Sequence, residues 1–150
     1  MSEQTGTETL RIERTFQAPV QAVFDAWTNE DVLRRWFHVE PHWETAEASV
    51  DVRVGGAVRL AMRDPEKDAV YAASGEYTEV DPPTRLAFTW NWDDGARDTL
   101  IEVDFEARGE DTTHVRFTHS GLPDEASKLD HESGWSRCLN NLAAALAAER

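Results

Sequence analysis

Two histidines are the side chains best suited to proton chemistry in this sequence. His119 ends a run of alternating apolar and polar residues on its apolar side, and His131 precedes Trp135 by one helical turn. Imidazole titrates near neutral pH, so either residue could move a proton or anchor the polar end of a ligand. Each could also do no more than bond to a nearby backbone group. The sequence leaves both interpretations open.

Carboxylates are numerous, but most occupy positions typical of a solvated surface. Glu102, Asp104 and Glu106 lie on the polar side of an alternating strand, where we expect them to face water instead of forming an acid–base pair. Glu76 is the exception, because the inward parity of its own strand is ambiguous. If Glu76 faces inward, it becomes a buried acid that could take part in catalysis.

A metal site is not favoured, although two imidazoles have a helical spacing. His38 and His42 are four residues apart, but Pro41 lies between them and indicates that the helix has ended. We therefore expect a loop with two exposed imidazoles. The single cysteine, Cys138, has no base at a fixed spacing, so we interpret it as a small core or boundary residue and not as a nucleophile.

The charge balance excludes several classes of partner. The chain has 29 acidic residues against 15 Lys plus Arg, a formal net charge of −14. This field repels phosphate backbones and anionic lipid surfaces, so we expect no nucleic-acid partner.

No apolar run is long enough to span a bilayer and no secretory signal is visible, so we expect no membrane insertion. The lone cysteine suits a reducing compartment, and the cytoplasm is the expected location.

The elements that must position these side chains begin after a short polar tail. Residues 1–8 have no hydrophobic pattern, and we expect a disordered tail followed by one domain over residues 9–150. A strand is predicted from Leu10 to Phe16. Pro19 favours the start of a helix, and Asn29 is placed to cap a second short helix.

About six antiparallel strands follow the two helices. The clearest has a period of two from Ala46 to Val54, and Gly55-Gly56 then predicts a tight two-residue hairpin turn. Further strands alternate between turn sequences as far as Gly121. Asp124 can cap a long final helix, whose apolar stripe is expected to comprise Trp135, Leu139, Leu142 and Leu146.

This order predicts an α+β, helix-grip fold, a curved antiparallel sheet wrapped around a long C-terminal helix. Facing side chains that do not meet would leave a cavity between sheet and helix, although the rings could instead interdigitate into a solid core. Gly134, inside the helix, would be explained by close packing on the sheet or by a kink at the cavity mouth. The residues predicted to line the cavity are Trp36, Phe37, Met62, Tyr71, Phe88, Trp90, Trp92, Phe105, Phe117, His119, His131, Trp135 and Leu139.

Short motifs along the chain resemble those of one known family. They are Ala18-Pro19 with residues 23–28, Trp36-Phe37, Gly55-Gly56, residues 79–86 with Phe88-Thr89-Trp90, residues 119–122, and His131 with Gly134-Trp135. In this order they resemble the heat-shock-protein-90 ATPase activator homologue family of the START-like (SRPBCC) superfamily. The resemblance runs from Thr9 to Ala147.

The resemblance implies a helix-grip fold with an internal cavity, and no metal or covalent cofactor. The function it favours is binding of a small apolar molecule, lipid-like or polyketide-like, as a carrier or sensor. One alternative is an enzyme of the polyketide cyclase or aromatase type, in which His119, His131 or Glu76 moves protons. Another is a chaperone-interacting protein. An exposed strand edge could also support a homodimer.

Overall fold

The computed structural model describes residues 6–148. Most of the predicted tail, residues 1–5, lies outside the described residues, and the first strand begins at Glu8. The elements are β1 (Glu8–Phe16), α1 (Val20–Thr28), α2 (Glu30–Trp36), β2 (Glu44–Val50), β3 (Ala57–Asp64), β4 (Ala69–Asp81), β5 (Arg85–Trp92), β6 (Thr99–Gly109), β7 (Thr112–Leu122) and α3 (Glu125–Ala148).

The seven strands form one sheet in the order β1-β7-β6-β5-β4-β3-β2. Every neighbouring pair is antiparallel, so the strands from β2 to β7 follow one another as hairpins. The first strand returns to pair with the last, which leaves β1 and β2 as the two edges. The predicted α+β arrangement of a sheet, two short helices and a long C-terminal helix is confirmed.

Side-chain caps begin the second and third helices where the sequence predicts them. The Asn29 side-chain oxygen accepts the backbone N–H groups of Asp31 and Val32 at 2.9 and 3.2 Å. A carboxylate oxygen of Asp124 accepts the backbone N–H of Ser127 at 2.8 Å. Each cap satisfies amide groups that have no partner within the first helical turn.

The predicted strand from Ala46 to Val54 is wrong at both ends. β2 ends at Val50, and residues 51–56 form a loop in which the backbone N–H of Gly55 bonds to the Tyr77 carbonyl at 2.9 Å. Gly55 has a φ of +87°, and Val54 is 64% exposed. The apolar–polar alternation therefore continues at Val52 and Val54, after the strand has ended. The predicted two-residue turn is instead a loop of six residues.

Aromatic side chains from the two short helices fill the space between α3 and the middle of the sheet. The Trp27 and Trp36 ring centroids are 4.8 Å apart, and Phe24 packs on Phe105 at 5.3 Å. Trp135 of α3 reaches Phe117 of β7 at 4.7 Å. These rings interdigitate into a close-packed core.

The last helix buries an apolar face from Trp135 onward. All four residues of the predicted apolar stripe are buried, from Trp135 at 5% exposure to Leu142 at 0%. Leu129, in the first part of the helix, is 56% exposed. Within residues 6–148, no helix is long and apolar enough to cross a membrane.

Candidate ligand-binding site

A pocket of about 800 Å³ lies between the sheet and the first half of α3. The loop 37–43, which joins α2 to β2, forms one side, and the loop 93–98 after β5 forms the other. The pocket is partly open to solvent, and its volume lies in the range typical of small-molecule sites. Its lining comprises Phe37, Val39, Glu40, Trp43, Met62, Tyr71, Trp92, Asp94, Gly95, Ala96, Ala126, Ser127, Asp130, His131, Ser133, Gly134, Trp135, Arg137 and Cys138.

One face of α3 contributes mostly small side chains to the pocket wall, together with one imidazole. Ser127, His131, Gly134 and Cys138 recur at steps of four, three and four residues, so they share one face of the helix. A Cβ atom placed on Gly134 would lie 3.5 Å from the nearest atom, Cγ1 of Val39, an ordinary contact. The prediction that Gly134 serves close packing on the sheet is therefore wrong, because the glycine faces the loop and leaves room in the pocket.

Aromatic rings form the opposite wall. Trp43 stacks on Tyr71 with the centroids 5.5 Å apart and the ring planes within 8° of parallel. Trp92 packs edge-on against Trp90, which lies behind it in the core at 0% exposure. Tyr71 is 42% exposed, so this wall reaches the mouth of the pocket.

The structure divides the thirteen predicted lining residues into two groups. The pocket wall contains Phe37, Met62, Tyr71, Trp92, His131 and Trp135. The prediction is wrong for the remaining residues, which lie in the closed core: Trp36, Phe88, Trp90, Phe105, Phe117, His119 and Leu139. Aromatic side chains of α1 and α2 occupy the space that those inward faces would otherwise border. For the residues on the wall, ligand contact stays a prediction.

His131 has both ring nitrogens engaged at the edge of the pocket. Its Nε2 accepts the indole N–H of Trp92 at 2.9 Å. An indole nitrogen only donates, so the imidazole proton must be on Nδ1, which lies 2.7 Å from the Ser127 carbonyl oxygen. The imidazole therefore holds Trp92 against α3.

His119 is fully buried and carries its proton on the other nitrogen. The Thr99 hydroxyl donates to the Trp90 carbonyl at 2.5 Å, so Nε2 of His119, 2.9 Å away, must donate to the Thr99 oxygen. Nδ1 accepts the indole N–H of Trp135 at 3.2 Å. Burial, with a smaller contribution from His131, lowers the pKa of His119 to about 3. Proton transfer by either imidazole would first require one of these bonds to break.

Glu76 does not supply the buried acid that an inward parity would have given. Ala73 and Tyr77, on the opposite parity of β4, are 0% and 2% exposed, whereas Glu76 is exposed. The Glu76 side chain therefore lies on the outward face of β4.

The two imidazoles of the loop 37–43 differ from each other. His38 is partly buried, and desolvation lowers its pKa, so the prediction of an exposed side chain is wrong for this residue. His42 is exposed as predicted. Its Nε2 lies 3.0 Å from a Glu66 carboxylate oxygen, and Asp64 accepts the backbone N–H of Glu66 at 3.0 Å. These contacts account for the proximity of His42, Asp64 and Glu66.

Sequence reasoning predicted Phe37 as a lining residue but missed the rest of the loop 37–43. Val39 and Trp43 lie in a stretch without helix or strand periodicity, so no pattern assigned them a face. A signal was nevertheless present in α3, where Ser127, Gly134 and Cys138 place small side chains on the same face as His131. Such a face borders either a tightly packed neighbour or free space.

The model of a family described as "Activator of Hsp90 ATPase homolog 1-like protein" matches residues 17–147. The chain belongs to this family. Membership supports a ligand-binding or chaperone-associated role in general.

Solved structures of similar proteins share this architecture. A protein from Silicibacter pomeroyi described as AHSA1 is 31% identical, with a TM-score of 0.82 over 95% of this chain and 100% of that one. A protein from Chromobacterium violaceum is 25% identical, with a TM-score of 0.83 over 92% of this chain and 96% of its own.

A curated relative of this family is much longer. The "Activator of 90 kDa heat shock protein ATPase homolog" of Dictyostelium discoideum is 24% identical over 135 residues, which cover 87% of this chain. The matched part spans 30% of that relative's length.

Proposed function

We propose that the protein binds a small, mainly apolar molecule in the pocket between α3 and the loop 37–43, as a carrier or sensor. The observation that carries the proposal is the pocket itself, about 800 Å³ in volume and bordered by Phe37, Trp43, Tyr71, Trp92 and Trp135. Aromatic walls with a few polar groups are typical of sites for small organic ligands. A lipid-like or polyketide-like molecule has the size and surface that such a pocket accommodates.

Polar groups at the wall are available to orient the ligand. The hydroxyl groups of Tyr71 and Ser133 border the pocket and have no hydrogen-bond partner within residues 6–148. The hydroxyl oxygen of Ser127 lies 3.3 Å from the ring nitrogen Nδ1 of His131, so these two polar groups already contact each other. We expect the first two to bond to a polar substituent of the ligand while the rings enclose its apolar part.

The proposal is tested by a substitution on α3 that places a larger side chain in the pocket. N-phenyl-1-naphthylamine is a neutral apolar dye whose fluorescence rises when it leaves water. The wild-type protein should bind it saturably, and Gly134→Leu should weaken binding by about tenfold or more, because the new side chain occupies the space next to Val39. Ala144→Leu, on an exposed position of the same helix, is the matched control and should bind as the wild type does.

Two results would count against the proposal. One is a wild-type protein that produces no saturable rise in dye fluorescence. The other is equal affinity in the wild type and Gly134→Leu when circular dichroism shows both to be folded, since the dye would then be elsewhere on the molecule.

A second candidate function is association with a 90 kDa heat-shock protein, which is favoured by the name of the Dictyostelium relative. The net charge of −14 would promote encounter with a basic surface at low salt. Analytical ultracentrifugation of this chain with the 90 kDa heat-shock protein of the same organism tests this candidate. A complex that weakens as salt is added supports it, and separate sedimentation at low salt rules it out.

A further inference from the structure

Among the charged residues that border the pocket, acidic side chains outnumber basic ones. The charged residues are Glu40, Asp94, Asp130 and Arg137. Arg137 forms an ion pair with Glu40, so the positive charge in this lining is already compensated. Asp94, in the loop 93–98, and Asp130, on α3, form no ion pair within residues 6–148. Two uncompensated carboxylates therefore border the pocket from different elements.

The cation nearest to Asp94 in sequence, Arg97, does not change the balance. Arg97 follows the lining residue Ala96, but its Nη1 donates to the carbonyl oxygen of Trp92 at 3.0 Å. Its charge acts on Asp93, where it contributes to the lowered pKa of that carboxyl group after the larger effect of Arg59. Neither Arg97 nor Asp93 borders the pocket.

The aromatic wall, like the two carboxylates, favours a positively charged ligand. The face of an indole or phenol ring carries partial negative charge and attracts ammonium groups that come within about 6 Å of its centre. Trp43, Tyr71 and Trp92 all border the pocket, and Trp43 and Tyr71 stack at the exposed end of the wall. A cation entering here would meet ring faces as well as the carboxylates of Asp94 and Asp130.

We propose that the pocket selects apolar molecules that carry a positive charge, such as aryl- or alkylammonium compounds, over neutral and anionic molecules of the same shape. This inference rests on the proposed function of the pocket. The apolar part of the ligand lies among the rings and beside Gly134, and its ammonium group lies at the mouth between Asp94 and Asp130. A fatty acid is disfavoured, because its carboxylate would lose water without gaining an uncompensated cation.

The test uses three probes of one shape that differ in charge: 2-naphthylmethylammonium, 2-naphthylmethanol and 2-naphthoate. Isothermal titration calorimetry at neutral pH and physiological ionic strength measures the affinity of each. We expect the cation to bind about tenfold more tightly than the alcohol, a ratio in keeping with a cation on ring faces next to carboxylates. The carboxylate should bind more weakly than both.

A matched pair of variants separates the local carboxylates from the field of the whole protein. Asp94→Asn with Asp130→Asn should reduce the preference for the cation to about threefold or less, the part supplied by the rings. Glu110→Gln with Asp111→Asn removes the same charge from the exposed turn between β6 and β7 and should leave the preference unchanged.

The outcomes distinguish this inference from the function on which it rests. Equal affinities for the cation and the alcohol, or an equal loss of preference in both double variants, would overturn the inference and leave the apolar pocket in place. If 2-naphthylmethanol and N-phenyl-1-naphthylamine both fail to bind, the proposed function itself is wrong.

Discussion

His119 carries its proton on Nε2 and His131 carries its proton on Nδ1, so each imidazole keeps its other ring nitrogen as an acceptor. Each imidazole accepts an indole N–H, from Trp135 and Trp92 respectively, so the pair fixes two rings of the pocket wall. Their ring centroids are 5.2 Å apart, with the planes nearly perpendicular. This arrangement favours a positioning role for the histidines, which support the wall instead of reacting with a ligand.

The buried His119 should make stability depend on pH. Its native pKa of about 3 lies below that of an unfolded histidine, about 6.5, so the unfolded chain takes up a proton that the native state excludes. Stability is therefore lost as pH falls below about 6.5. His119→Gln can keep both hydrogen bonds and lacks this proton, so from about pH 6 to pH 5 the wild type should lose about 1 kcal/mol more than the variant. Urea unfolding at both pH values measures this difference, and parallel losses would contradict the assignment.

The thiol of Cys138 should be inert although it borders the pocket. It is 1% exposed, its Sγ lies 3.5 Å from the His38 carbonyl oxygen, and burial raises its pKa to about 12. The thiolate is the reactive form, so iodoacetamide at mildly alkaline pH should label the native protein at least about 100-fold more slowly than the urea-unfolded chain. Mass spectrometry follows the labelling. Similar rates would mean that this wall opens readily to solvent.

The helix α3 has two different neighbours along its length. Its later residues, such as Leu142 and Leu146, pack into the core, whereas residues 126–138 border the pocket. The contrast arises because α1 and α2 supply large rings to the core, while the loop 37–43 approaches α3 at a glycine. The pocket is therefore a local gap between elements and not a hollow through the whole fold.

Replacing the glycine of α3 by alanine should separate stability from binding. Gly134→Ala improves helix propensity by about 1 kcal/mol, and its Cβ fits at 3.5 Å from Val39. We expect a free energy of unfolding higher by up to about 1 kcal/mol, together with weaker binding of N-phenyl-1-naphthylamine. Urea unfolding and dye titration measure the two effects.

The exposed Ala144 of the same helix offers the reverse control. Ala144→Gly should lower stability by about 1 kcal/mol and leave dye binding unchanged. A stabilised Gly134→Ala that binds the dye as tightly as the wild type would indicate that the space beside Gly134 is not part of the site.

Across the whole molecule, local patterns predicted the sheet and the helices better than they predicted the pocket. A period of two places Ile101, Val103 and Phe105 inward on β6, and all three are buried. An inward residue, however, can border either a ring or a space, and that depends on how distant elements pack. Trp90 and Trp92 share one face of β5, yet one lies in the core and the other on the pocket wall.

One feature of the molecule, its oligomeric state, stays a prediction. The sheet has edges at β1 and β2, and a homodimer formed through one of them is still expected from the sequence alone. The net charge of −14 creates a negative field that also acts at the pocket. The variants that remove charge at the pocket therefore need a control that removes the same charge elsewhere.

The most direct test of the pocket uses the six tryptophans as reporters in a two-dimensional proton–nitrogen NMR titration with N-phenyl-1-naphthylamine. The indole N–H signals of Trp43, Trp92 and Trp135 should shift as the dye fills the site. Trp36 is the internal reference, because its indole donates to the Ala26 carbonyl at 2.9 Å within the core. Shifts confined to the three pocket tryptophans are the predicted result. No shift at saturating dye, or shifts at Trp36 larger than those at Trp43, would contradict the account.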